Sequence, residues 1–265
     1  MTEVDHPRPA SDAPASAYPR AWVAEHLTEE RRASALLGEI REIVFGAQDG
    51  LVSTLAVVAT VAGASGSTFP VIVAGIATGL AGVFSMAAGE YIGSKSQREI
   101  FDTQIATERE EVEERPGEAE AEVAFMLAEE GLGEEDAAKV AALMARHPEA
   151  LLRTMVSKEL GIQVDDERGG GVLQGALLMG LAFGLGATVP VLPFLFLPVG
   201  TALPVAAVLT GAVLFAIGVV KSRWTHRSAL SSGAEVLALA AIAGIAGYLF
   251  GTVLPQLLGV AGISA

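Results

Sequence analysis

Apolar residues in this chain come in long unbroken blocks rather than at the spacing of a half-buried helix. A first block at roughly 43–64 and a second at 69–93 are joined by Ser65-Gly-Ser-Thr-Phe-Pro70, and no charge lies between Asp49 and Glu90. Each block has the roughly 20 residues needed to cross a bilayer core, and so short a link makes the pair an antiparallel hairpin. Residues 172–220 contain no charged side chain, and Pro190, Pro193, Pro198 and Pro204 divide that run near its middle. It predicts two further spans, 172–192 and 201–220. A basic turn at 221–227 then leads to a fifth span at about 232–255. The pattern predicts an all-α polytopic membrane protein with five transmembrane helices.

Between the second and third spans the pattern changes to amphipathic and strongly polar. Pro116-Gly117, the Gly131 and Gly133 pair, and His147-Pro148 break this segment into short helices. Val123, Met126 and Leu127, then Val140, Leu143 and Met144, recur at helical spacing and predict a small packed core. The organisation predicted is a tail and amphipathic helix over 1–35 and transmembrane helices 1–2 over 36–95. An inserted acidic helical domain follows over 96–168, then transmembrane helices 3–5 over 169–258 and a C-terminal tail over 259–265. Residues 1–20, rich in Pro, Ala, Ser and Asp, predict disorder. The stretch 21–38 predicts an amphipathic helix at the membrane surface, with Arg31 and Arg32 near the headgroups.

Charge refines the picture. The chain carries a formal net charge of −14, yet residues 96–167 alone hold 20 of the 31 acidic residues and seven of the 17 basic ones. So localised an excess of acid argues against nucleic acid and for cations as partners. With no cysteine present, disulfides, thiolate metal sites and thiol catalysis are excluded, and any metal is held by oxygen, imidazole or thioether. Four scattered His and no nucleophile–base spacing argue against an enzyme. Lys and Arg gather at Arg31/Arg32/Arg41, Lys95/Arg98, Arg168 and Lys221/Arg223/Arg227, whereas the links at 65–70 and 190–204 have none. The positive-inside rule therefore puts the N-terminus and the acidic domain in the cytoplasm and the C-terminus outside. An Ala/Gly/Leu-rich composition points to a prokaryotic plasma membrane.

Several acids stand where apolar residues belong. Asp49 is the only charge from Ile43 to Ala64. A carboxylate at the centre of a spanning helix costs roughly 2.5 to 3.5 kcal/mol, so such residues usually face a cavity, an ion or a partner. An interfacial Asp near the helix start, reaching back to water, is the competing explanation. Glu42 lies seven residues earlier, on the same helix face. Met86 and Glu90 share a face at i and i+4. They read either as a thioether and carboxylate along a path, or as core filler and water boundary. Glu235 opens the fifth span. Glu108 and Glu111 share a face, as do Glu118 and Glu122, and like charges so placed repel unless a cation neutralises them; a solvated acidic face is the alternative. Glu3-x-x-His6 has a ligand-like spacing in the N-terminal tail. Gly75, Gly79, Gly82 and Gly89 in the second span read as points of close helix approach.

The segments REIVFGAQDGLVSTLAVVATVAG, SMAAGEYIGSKSQRE, KELGI and LPF, in that order, resemble the vacuolar iron transporter (CCC1-like) family of iron and manganese transporters. The resemblance covers about residues 36–258. It implies a homodimer of five-span subunits that exports Fe2+ or Mn2+ from the cytosol in exchange for protons. It assigns the translocation path to Asp49 and Met86, with a family acid falling on Glu42, and metal binding in the acidic domain to Glu108, Glu111, Glu122 and Glu159 with the Met155 thioether; Glu90 joins the path from its place in the span alone. A further family glutamate aligns with Ala119, and Glu118 or Glu120 stands ready to replace it. A second-span acid of some members aligns with Thr78, and their third-span tyrosine has no counterpart. No prosthetic group is implied. A passive cation channel and a non-transporting membrane metal sensor remain the alternative functions.

Overall fold

The computed structural model describes residues 14–161, 171–225 and 228–257, and within them every regular element is helical. The Glu3/His6 pair, the tail over residues 1–13, Arg168, Arg227 and the C-terminal tail at 259–265 lie outside the described residues. After a 3-10 turn at Ala15–Ala17, the helices are α1 (Arg20–Ser65), α2 (Thr68–Glu114), α3 (Pro116–Glu129), α4 (Glu134–Ala145), α5 (Pro148–Glu159), α6 (Gly171–Val191), α7 (Val199–Thr225) and α8 (Ala229–Leu257). Five of them, α1, α2, α6, α7 and α8, are long and apolar enough to cross a membrane.

The first two helices differ from expectation. The amphipathic stretch and the first span form one helix of 46 residues, and the second span continues into the acidic segment as one helix of 47. At 1.5 Å per residue each is roughly 70 Å long, about twice a hydrocarbon core of ~30 Å. No proline interrupts either run, so nothing turns the chain onto the membrane surface at residue 38 or stops it at residue 95. Gly66 ends α1 in the left-handed conformation (φ 61°), its N–H donating to the Ala62 carbonyl at 3.3 Å; this is the ordinary glycine cap.

Contacts divide the chain into two units. One comprises the described residues of Met1–Ala87 and Leu177–Ala265. Its core layers are Leu51 with Leu214 and Val236, and Leu55, Val58, Val71, Val191, Phe194, Ala202 and Ala206. Large apolar side chains such as Phe84, Leu185 and Val208 point outward, as suits a unit whose solvent is lipid. The helices approach to backbone contact at glycines. A Cβ on Gly50 of α1 would stand 2.2 Å from the Phe183 carbonyl oxygen of α6, and one on Gly251 of α8 would stand 2.0 Å from the Thr60 carbonyl oxygen of α1. The Thr60 hydroxyl donates across the same α1–α8 seam to the Gly247 carbonyl at 2.8 Å. The second-span glycines include two close approaches, to side chains rather than backbone. Gly75 and Gly82 make room for the side chains of Val191 and Phe183, Gly79 touches the Ala187 methyl, and a Cβ on Gly89 would meet nothing.

The other unit, Ala88–Ala176, holds the end of α2 with α3, α4 and α5. Proline occupies the first turn of both α3 and α5, where its missing N–H costs nothing. Val112, Ala119, Val123, Leu127, Ala137, Ala141, Leu151, Leu152, Met155 and Val156 form the core. Met126, Val140 and Met144 pack on it part-buried, whereas Leu143 is 57% exposed and does not join it.

Candidate metal centre

The break at Arg115 folds the end of α2 back against the start of α3. Arg115 N–H donates to the Glu111 carbonyl (2.7 Å), and its own carbonyl accepts from the N–H groups of Glu118 (2.9 Å) and Ala119 (3.2 Å). The turn brings Glu111, Glu118 and Glu122 together, each offering an oxygen within 4.8 Å of the others. A divalent ion bound to oxygens at roughly 2.0–2.6 Å holds opposite ligands about 4–5 Å apart, so this spacing already fits one. Beside the trio is an open cavity of about 440 Å³ lined by Glu118, Ala121, Glu122, Phe125, Met126 and Glu159. Glu108 lies within electrostatic reach of Glu111 and Glu159.

Electrostatics mark the same place. Burial pushes the Glu122 carboxyl above the ordinary glutamate range, and Glu111, Glu159 and Glu118 push it further. Glu111 has one oxygen, Oε1, buried without a hydrogen-bond partner. Its Oε2 accepts from Arg115 Nη2 at 3.0 Å, and Glu118 Oε2 accepts from Arg115 Nη1 at 2.6 Å. Glu111 stands in the last turn of α2 and Glu159 is the last residue of α5. Both are at the negative pole of a helix dipole, where a carboxylate is disfavoured without a cation.

Glu108, Glu111, Glu118, Glu122 and Glu159 are thus gathered into one region, and Glu118 rather than Glu120 joins the trio. Met155 is different. Its side chain is fully buried in the apolar core, and the thioether at the cavity is that of Met126. Met126 follows Glu122 at i+4 on α3, which is the signal that would have found it.

In the membrane unit, Glu42 and Met86 are half-buried and Asp49 is exposed on the outer surface of α1. The Asp49 backbone carbonyl accepts from the Ser53 hydroxyl at 2.6 Å. Thr78 returns its hydroxyl to the Ala74 carbonyl at 2.8 Å. In the acidic unit, Glu90 Oε1 accepts from the Ser94 hydroxyl at 2.6 Å.

Compared with known proteins, residues 40–252 match the family model described as the VIT family. The chain belongs to the VIT family. Vacuolar iron transporter 1 of Eucalyptus grandis is 34% identical over 224 residues, 84% of this chain and 89% of the relative. Vacuolar iron transporter 1 of Arabidopsis thaliana is 34% identical over 226 residues, 84% and 88% of the two chains. The vacuolar iron transporter of Plasmodium falciparum is 27% identical over 223 residues, 81% and 82%. The matched VIT region overlaps all five candidate spans, with most of α1 and α8 inside it, together with the glutamate-bearing helices. It leaves outside the first part of α1, Arg20 to Glu39.

Proposed function

We propose that this protein carries divalent iron or manganese out of the cytosol across a membrane in exchange for protons. The observation that carries the reading is the convergence of Glu111, Glu118 and Glu122 within 4.8 Å in a chain of the VIT family. Relatives in that family are named iron transporters, and iron as cargo follows from them. Manganese is added because hard carboxylate oxygens with a nearby thioether suit both ions.

The glutamate cluster gathers the ion, with Glu108 and Glu159 extending its field and Met126 offering a soft contact. From there the ion passes to Asp49 and Met86, with Glu42 and Glu90 as further oxygen ligands or proton acceptors. Asp49 lies on the outer face of α1 in a single chain, so a closed path there calls for a second copy, and the working form is a homodimer. The N-terminus and acidic unit face the cytosol, as the basic flanks of the spans require; in a prokaryotic plasma membrane the movement is efflux.

Metal uptake into proteoliposomes, with and without an imposed pH gradient, tests the whole reading. Wild-type protein should accumulate Fe2+ and Mn2+ when the lumen is acidic, and Asp49→Ala should reduce uptake at least tenfold while remaining folded and inserted. Uptake indifferent to the gradient would make the protein a passive channel. Metal binding without any flux would make it a sensor.

A further inference from the structure

We propose that Arg115 is a resident counter-cation of the Glu111–Glu118–Glu122 cluster, which an arriving divalent ion must displace, so that this arginine sets how tightly the site holds its ion. The inference rests on the reading of the cluster as a metal site. The corner between α2 and α3 pins the Arg115 backbone on both sides, through the Glu111 carbonyl and the N–H groups of Glu118 and Ala119. Its guanidinium then bridges the two helices, Nη2 at 3.0 Å from Glu111 Oε2 and Nη1 at 2.6 Å from Glu118 Oε2. Two of the three candidate ligands therefore already share one cation belonging to the chain.

Three other cations of this unit are engaged elsewhere: Arg109 with Glu149, Lys139 with Glu135, and Lys158 with Glu130. A planar guanidinium matches two carboxylates that a point charge would satisfy less well. A metal ion bound at ~2 Å from either shared oxygen would lie within a few ångströms of the guanidinium, and the two charges repel. Displacement is open to the arginine, because its side chain is 54% exposed and has water to move into. Freed of it, Glu111 would present Oε2 beside an Oε1 that has no hydrogen-bond partner. The arginine offsets part of the negative charge of the empty cluster. It also subtracts from metal affinity, which favours release of the ion to the next site in a transporter.

Mn2+ binding to the full-length protein in detergent, measured calorimetrically at two ionic strengths, tests this. Arg115→Gln should bind Mn2+ about tenfold tighter than wild type. Arg115→Lys, which keeps the charge but loses the fork, should fall between them. Arg109→Gln, which removes an equal charge from the Glu149 pair, should stay within about twofold of wild type. Equal or weaker binding by Arg115→Gln, in a wild-type background that does bind, would overturn the inference and leave Arg115 as a strut at the corner. Equal tightening by Arg109→Gln would also overturn it, since the effect would then be net charge alone. Wild-type binding no stronger than that of a Glu111→Gln, Glu118→Gln, Glu122→Gln triple variant would remove the metal reading itself, and this proposal with it.

Discussion

Glu122 shows how one side chain can be a liability to the empty protein and an asset to the loaded one. Its carboxyl is raised first by burial and then by Glu111, Glu159 and Glu118, so the folded state binds a proton more readily than the unfolded chain does. Between the ordinary glutamate value and the raised one, the native protein therefore holds more protons, and stability rises as pH falls through that window. Metal needs the deprotonated form, so affinity runs the other way: it falls on acidification, and begins to fall above the ordinary carboxylate range. In metal-free protein, the thermal midpoint of wild type should gain on that of Glu122→Gln as pH drops toward the ordinary glutamate value. Mn2+ affinity of wild type should decline over the same interval. Parallel midpoints at every pH would mean that neither burial nor the neighbouring carboxylates raise Glu122.

Helices in this protein are set by a few punctuating residues and held by a few contacts between backbones, and the two were unequally legible. Pro116, the Gly131–Gly133 pair and His147-Pro148 break the chain where local chemistry says they must, and the apolar blocks place α6, α7 and α8 within a few residues. What stayed hidden depends on partners. The continuity of α1 and α2 follows from the absence of a breaker, and a change of composition near residue 95 disguised it. Gly50 and Gly251 meet backbone, whereas Gly75 and Gly82 of α2 make close approaches to the side chains of Val191 and Phe183, because what a glycine meets is decided by the neighbouring helix. The acidic cluster was legible as a surplus of charge at helical spacing, but selecting Glu118 over Glu120 took the α2–α3 corner. Met155 repeats at core spacing and packs as core. One experiment separates the two kinds of glycine. Gly50→Ala must force Phe183 and α6 away and should cost at least the roughly 1–3 kcal/mol of an overpacked core. Gly93→Ala, with nothing within 4 Å, should be neutral or gain up to about 1 kcal/mol of helix propensity. The unfolding midpoints of the two variants in detergent decide it, and equal shifts would mean that α1 and α6 do not touch at Gly50.

At the scale of the molecule, the distribution of charge has to agree with the direction in which ions move. Twenty of the 31 acidic residues sit between residues 96 and 167, yet this segment is flanked by Lys95 and Arg168, with Arg98 near its start, and it is the basic flanks that govern insertion. An acidic collector is useful to an exporter only on the side from which metal is taken. The two requirements coincide if α1 and α2 meet at the outer surface, through the short link at Gly66–Ser67, with the acidic helices inside. The chain has no cysteine, so single introduced thiols report topology without background. Ser67→Cys should react with a membrane-impermeant maleimide on intact cells, whereas Glu110→Cys, exposed on α2, should react only after permeabilisation. The reverse pattern would place the glutamate cluster on the delivery side. The same residues would then have to receive ions rather than gather them, and the proposed proton-driven export would fail.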